Sequence, residues 1–376
     1  MSAMKVIVCA GFGPSLINFR GDLLRSLVSC DCDVVAAVPL ENNQVGHALA
    51  DIGVRLATVP LSPTGLNPIS DLRYYRALVD IFKLESPDAV FCYTHKAVIF
   101  GLMAAAHVGV SRRVGLITGL GFAFIDVVGW KKRFANFVVR ALYRVALRRS
   151  THVFFQNPDD QKLFRALQLL PHELKNEIIN GSGINLDRFA HEPIREGPLS
   201  FLMLSRLLRD KGVCEYAEAA AIITSRYTGI SFHLAGGIDG NPSAILLKKV
   251  NEWQSAGHIV YHGEVADVRP LLKSATVYVL PSYREGTPRS VLEAMSTGRP
   301  IITTDAPGCR ETVIPGENGF LVPIKNPVAL SECMERFIRE PGLAIRMGLA
   351  SRRLAERKYD VRKVNVRILA ELGVTL

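Results

Sequence analysis

The sequence predicts an α/β protein of two doubly wound parallel-sheet domains, and three observations predict it. Short apolar runs alternate with helical stretches along the whole chain. The alternation occurs twice, on either side of the polar, two-proline stretch "FAHEPIREGPLS" at 189–200. The length of 376 residues suits two domains of ordinary size.

In the first half, "KVIVCA", "DVVAAVP", "VRLATVP", "AVFCY", "RVGLITG" and "HVFFQN" read as strands. In the second half the strands are "LSFLMLS", "SFHLAGG", "HIVYHG", "TVYVLPS", "PIITTD" and "GFLVP". Their β-branched and aliphatic runs suit parallel strands buried on both faces, joined by right-handed helical crossovers. The expected domains are residues 1–190 and 191–350. The tail from about Pro341 is basic and helical, so 351–376 is expected as a helix packing back on one half, the first included. Open α/β sheets bind ligands outside the carboxyl ends of their strands. Two such domains facing each other would make one cleft, with the chemically suggestive residues just after strands.

Composition excludes several classes. Hydrophobic residues at 48% and charged ones at 21% describe a well-cored soluble chain, not a disordered one. The seven cysteines are scattered and odd in number, which points to reduced thiols in a cytosolic compartment. No leader-like segment precedes "KVIVCA", and no run of eighteen apolar residues exists. The net charge is +10, yet residues 1–130 carry ten basic and ten acidic residues. "GWKKRFANFVVRALYRVALRRS" (129–150) then has seven basic residues and no acid, a local surplus that suggests a local anionic partner. A nucleic-acid binder is disfavoured, because no stacking aromatics interleave the basic residues on a sheet or groove.

The densest chemistry lies in "EGTPRSVLE", Glu285 to Glu293, after the strand "TVYVLPS". Spacing alone is weak, since Glu332 and Glu340 repeat it in an ordinary helical stretch. The flanks are specific. Thr287 reads as an N-cap, Pro288 as the first helical residue and Gly298 as the stop. A helix amino-terminus offers amides and partial positive charge to a phosphate, and Gly286 lets backbone approach a ligand. Glu293 could hold a vicinal diol with its two oxygens, and Glu285 could reach a sugar beyond the phosphates. Two solvated glutamates are the plain alternative.

In "LSRLLRDKG", Arg206 and Lys211 follow the first strand of the second half. A planar guanidinium and a point charge suit a diphosphate; a simple basic loop is the alternative. After the first strand, "CAGFGPSLINFRG" places Gly11 and Gly13 near any phosphate, but Leu16 stands where GxGxxG needs its last glycine, and a tight turn reads equally well. His95 and Lys96 in "CYTHKAVIFG" end a strand, where His95 could bond a sugar hydroxyl or be structural. His47, His107, His152 and His258 form no metal set, and "DCD" (31–33) precedes its strand and reads as a turn cap. In the basic segment, Arg133, Arg140, Arg144 and Arg148 share one helical stripe. Trp130, Phe134, Phe137, Val138, Ala141, Leu142 and Val145 form a broad apolar face. Such a helix could lie among anionic headgroups with Lys131 and Lys132, or pack on a core.

"PSYREGTPRSVLEAMSTGRPIITTDAPGCRETVIPGENGFLVP" resembles the signature of the family-4 retaining glycosyltransferases, which have the GT-B fold of two Rossmann-like domains. "SRLLRDKG" and "GSGINLDRF" (181–189) agree, so the resemblance covers nearly the whole chain. It implies that Arg206 and Lys211 bind the donor diphosphate, Glu293 the ribose, and Glu285 the transferred sugar. It further implies that the amides from Gly286 through Thr287 and Ser290 to Val291 meet phosphate and sugar oxygens, with no metal required. Backbone near His262, Gly263 and Val265 would recognise the base. "SLINFRG", "THKAVIFG" and "TGLGFAFID" are similar to bacterial transferases that add an N-acetylhexosamine to undecaprenyl-diphosphate-linked saccharides. That resemblance implies a UDP-sugar donor, a polyprenyl-diphosphate-linked acceptor and a peripheral place on the cytoplasmic membrane face. Many relatives carry a histidine after the fifth strand of the first domain. Here "LITGLGF" has Gly119 and Gly121, and the candidate catalytic histidine of that domain is His95. The rival classes are a UDP-sugar epimerase of similar fold and a non-catalytic sugar-nucleotide binder.

Overall fold

Strands form where the apolar runs lie, and each parallel sheet organises one unit. The computed structural model describes residues 3–39, 43–61, 67–119, 130–195, 197–241, 243–340 and 342–375. The chain divides into one unit of 1–182 with 362–376 and another of 183–361.

In the first unit the strands are β1 (Lys5–Cys9), β2 (Asp33–Val38), β3 (Arg55–Thr58), β4 (Ala89–Tyr93), β5 (Arg112–Ile117), β6 (His152–Phe155) and β7 (Lys175–Ile178). They run parallel in the order β3-β2-β1-β4-β5-β6-β7. Strands β1, β2, β4 and β6 are buried almost throughout, which is why they read as continuous apolar runs. Sequence reading missed β7: its residues are "KNEI", and as an edge strand it is partly exposed, so no apolar run marks it.

The second unit contains β8 (Ser200–Leu204), β9 (Ser231–Ala235), β10 (Val260–Tyr261), β11 (Val277–Leu280), β12 (Ile301–Thr304) and β13 (Gly319–Val322). Their parallel order is β10-β9-β8-β11-β12-β13. Strand order therefore reverses between β1 and β4 in one unit and between β8 and β11 in the other. These are topological switch points, where open sheets take ligands.

The units divide earlier than the proline stretch at 189–200 suggests. Within the second unit Ile184 pairs with Asp360, through Ile184 N–H to the Tyr359 carbonyl (2.7 Å) and Val361 N–H to the Ile184 carbonyl (3.0 Å). Gly183 has φ +66 there, and a Cβ on it would lie 2.6 Å from Val361 Cα. The tail is shared out. The helix Gly342–Leu354 buries Leu343, Met347 and Leu354 in the second unit's core. The helix Val361–Leu372 buries Ile368, Leu369 and Leu372 against Leu23, Leu24 and Leu27 of the first.

Candidate active site

At the second unit's switch point two loops are brought together by backbone. After β8 the chain turns through Arg209–Lys211 into Gly212, at φ +75. A Cβ on Gly212 would collide with the Pro281 carbonyl, so this approach demands glycine. The Asp210 carbonyl accepts from Tyr283 N–H (2.8 Å) and Ser282 Oγ (3.2 Å), tying the loop after β8 to the loop after β11. Glu285 N–H donates to the Pro307 carbonyl (2.9 Å), and a Cβ on Gly308, φ +82, would collide with the carbonyls of Glu285 and Gly286.

The outcome is an ion pair that sequence reading did not anticipate. Lys211 Nζ lies 2.6 Å from Glu285 Oε1, with the two side chains only 17% and 14% exposed. The residues expected to serve diphosphate and sugar are paired with each other. An ammonium has three donors, so one carboxylate does not exhaust it. Arg206 stands outside this pair: its side chain is 63% exposed and its Nη1 lies 2.5 Å from Asp239 Oδ2.

The helix that follows begins later than its sequence suggests. Thr287 is not the cap and Pro288 is not the first helical residue. Pro288, at φ −71 and ψ 111, is extended and occupies the N-cap position of the helix Arg289–Thr297. Gly298, at φ +87, ends it as expected. The Val291 amide, expected to meet the donor, donates to the Pro288 carbonyl at 3.1 Å and is engaged within the first turn. Ser290 lies in the first turn of that helix, and the Tyr278 hydroxyl donates to the Leu204 carbonyl at 3.1 Å.

Glu293 is paired with a residue the sequence analysis passed over. Arg289 Nε lies 3.1 Å from Glu293 Oε1, an i,i+4 contact whose spacing was the available signal. Burial pushes the Glu293 carboxyl above its ordinary value, against the opposing pull of Arg289 and Arg188.

The segment expected to meet a base leaves β10. His262 is exposed, stacks on His233 and shares a hydrogen bond with it at 3.0 Å. The Gly263 carbonyl accepts from Gly236 N–H (2.8 Å), and the partly exposed Val265 packs against the unit's core.

In the first unit, Gly11 N–H donates to Thr94 Oγ1 at 2.9 Å, joining the loops after β1 and β4. Thr94 has φ +73, a strained value for a β-branched residue. Gly13 opens the helix Gly13–Ser29 without a side-chain cap before it. His95 Nδ1 shares a hydrogen bond with the Tyr143 hydroxyl at 2.8 Å, and burial lowers its basicity. Lys96 Nζ pairs with Asp71 Oδ1 at 2.7 Å, both side chains nearly buried.

Tyr143 belongs to the basic helix, Trp130–Leu147. Its core side is Tyr143, Ala146 and Leu147, with Val139 and Leu142 against them. The apolar residues expected to form one broad face, in a headgroup region or on a core, divide: Phe134 and Phe137 are 65% and 66% exposed, and Val145 is exposed with them. Nor do the arginines share one role. Arg133 and Arg148 are exposed, whereas Arg144 donates to the carbonyls of Leu167 (3.2 Å) and Gln168 (3.1 Å) at the end of a neighbouring helix, which removes it from a headgroup-facing set. Arg140 is half-buried. Gly121 and the side chains of Trp130, Lys131 and Lys132 lie outside the described residues.

Asp31 takes φ +56 in the turn before β2, and Asp33 forms a 2.9 Å ion pair with Arg55. Among the described residues no cluster of three or more His, Cys, Asp or Glu side chains is placed to hold a metal, and no helix is long and apolar enough to cross a membrane.

Two family models match this chain: "Glycosyl transferase 4-like domain" over residues 18–175 and "Glycosyl transferases group 1" over residues 198–340. The chain is 30% identical, over 92% of both sequences, to N,N'-diacetylbacillosaminyl-diphospho-undecaprenol alpha-1,3-N-acetylgalactosaminyltransferase of Campylobacter jejuni. It is 28% identical, over 73% of both, to UDP-Gal:alpha-D-GlcNAc-diphosphoundecaprenol alpha-1,3-galactosyltransferase of Escherichia coli. Among solved structures, sucrose-phosphate synthase from Thermosynechococcus elongatus matches with TM-score 0.79 at 17% identity, covering 97% of each chain. HepE of Anabaena, solved with UDP, matches with TM-score 0.78 at 17% identity, covering 99% of this chain and 100% of its own.

Proposed function

Because the chain belongs to the family-4, group 1 glycosyltransferases, we propose that it moves an N-acetylhexosamine, with retention, from a UDP-sugar to a polyprenyl-diphosphate-linked saccharide. The observation that carries this reading is the Lys211–Glu285 pair at the β8/β11 switch point. A cation fixed at 2.6 Å by a carboxylate is preorganised, so neutralising a departing diphosphate needs little rearrangement.

In this reading Lys211 and Arg206 take the negative charge that grows as the sugar–phosphate bond breaks. Glu285 orients Lys211 and borders the transferred sugar. The backbone at Gly286 and Thr287 and the start of the helix Arg289–Thr297 face the phosphates. Glu293, steadied by Arg289, accepts from the ribose diol, and the loop 262–265 borders the base. The acceptor hydroxyl attacks the face that the diphosphate leaves, and the leaving phosphate takes its proton. In the first unit, Gly13 and His95 follow β1 and β4 at that sheet's own switch point, where an open sheet takes a ligand.

Two relatives are named for diphospho-undecaprenol-linked acceptors, which favours an acceptor of that class. The exposed Phe134 and Phe137, with Arg133 and Arg148 on the same helix, suit an anionic membrane face, where each basic residue contributes about 1 kcal/mol. Purified protein incubated with UDP-sugars and polyprenyl-diphosphate-linked saccharide tests the proposal. UDP release coupled to an extended lipid-linked product is expected. Interconversion of the UDP-sugar without acceptor would instead identify an epimerase.

A further inference from the structure

The first unit holds a cavity of about 470 Å³ that the reading above leaves unused. It is lined by Leu72, Tyr75, Phe100, Met103, Val138 and Leu142, with Pro68 and Asp71 at its edge. Its size falls in the range of small-ligand pockets, about 300–1,000 Å³. Its two polar side chains are already engaged: Asp71 pairs with Lys96 (2.7 Å) and the Tyr75 hydroxyl bonds His107 Nδ1 (3.0 Å). A sugar or nucleotide there would bury hydroxyls without partners, a cost that excludes it. An apolar wall of this kind favours hydrocarbon over a polar ligand.

Which hydrocarbon follows from the wall itself. Val138 and Leu142 lie on the basic helix, and one residue beyond Leu142 is Tyr143, which holds His95. That helix also exposes Arg133 and Arg148, with Phe134 and Phe137. Asp71, at the cavity's edge, binds Lys96, the neighbour of His95 at the end of β4. The cavity is thus joined by the Asp71–Lys96 pair to the loop after β4, and it shares the basic helix with the exposed Arg133 and Arg148. This arrangement complements a molecule with a diphosphate head and a hydrocarbon chain. We propose that the cavity receives the first isoprene units of the acceptor's polyprenyl chain, an assignment that rests on the transferase reading above.

The test uses the full chain and two variants, Val138→Trp, which fills the cavity, and Met103→Gln, which makes it polar. Binding of labelled farnesyl diphosphate is read by equilibrium dialysis. UDP release is read with one saccharide carried on farnesyl diphosphate and on methyl diphosphate. Both variants are expected to weaken farnesyl diphosphate binding and raise KM for the farnesyl acceptor about tenfold or more, because buried hydrocarbon is lost. Values of kcat, KM for the methyl acceptor and affinity for UDP should hold, which also reports an intact fold. Unchanged farnesyl binding and KM in both variants would overturn the assignment, as would palmitate displacing the probe as well as unlabelled farnesyl diphosphate does. If no acceptor supports transfer but farnesyl binding is lost in the variants, the cavity is a polyprenyl-diphosphate site and the transferase reading falls.

Discussion

Lys211 Nζ and Glu285 Oε1 lie 2.6 Å apart, joining the loop after β8 to the loop after β11 where strand order reverses. Each charge is mostly shielded from water, so each depends on the other. Lys211→Ala is expected to lower turnover about 10²-fold or more, because a preorganised donor to the leaving phosphate disappears. The double variant Lys211→Ala/Glu285→Gln should lose less than the sum of the single losses, since removing either partner alone strands the other. Steady-state UDP release measures both; near-normal turnover in Lys211→Ala would contradict the role.

Glu293 carries a pH prediction. Its carboxyl is held above the ordinary 4.5 by burial, so the native state keeps its proton at pH values where the unfolded chain has lost it. Stability from this group therefore falls as pH climbs from about 4.5 through the raised native value. Ribose acceptance needs the ionised form, so UDP affinity should fall on acidification at a higher pH than an ordinary glutamate would give. Glu293→Gln should bind UDP about tenfold more weakly and lose that pH dependence. Titrations across pH 4–8 would decide it.

His95 should be neutral through pH 7, because burial moves its titration below 6.5. The pH–rate profile should then lack a His95 inflection between about 6.5 and 8. Tyr143→Phe removes the 2.8 Å bond at Nδ1 and should raise acceptor KM more than it changes UDP affinity. An inflection in that window that vanishes in His95→Ala would contradict this account.

Phe134 and Phe137 are two large apolar side chains in water beside exposed arginines. The double variant Phe134→Asp/Phe137→Asp should reduce co-sedimentation with phosphatidylserine-rich vesicles about tenfold or more while leaving UDP binding unchanged. Arg144→Ala should instead lower thermal stability, because its guanidinium closes carbonyls at Leu167 and Gln168. Vesicle pelleting and thermal melts separate the two arginine roles.

The fold was legible because buried parallel strands advertise themselves: β4 "AVFCY" and β8 "SFLML" are buried at every position. Edge strand β7, half in water, had no such signal. Of the site, the strand–loop–helix setting of Glu285 and Glu293 was readable, as was Gly298. The pairing of Lys211 with Glu285 was not, because it depends on two loops 74 residues apart meeting through Gly212 and Pro281. Nor was the start of the helix at Arg289, since a proline suits the N-cap and the first turn alike until ψ is known. The basic helix misled for a related reason. Periodicity groups Arg144 with Arg133 and Arg148, but only the neighbouring helix end decides which arginine is occupied.

The central claim is that the second unit's switch point grips a nucleoside diphosphate. Calorimetric titration of UDP into the full-length protein tests it most directly. The account predicts saturable one-site association, weakened in Glu293→Gln and in Lys211→Ala. No heat of association with UDP or any UDP-sugar, from a protein with a normal cooperative melt, would contradict it.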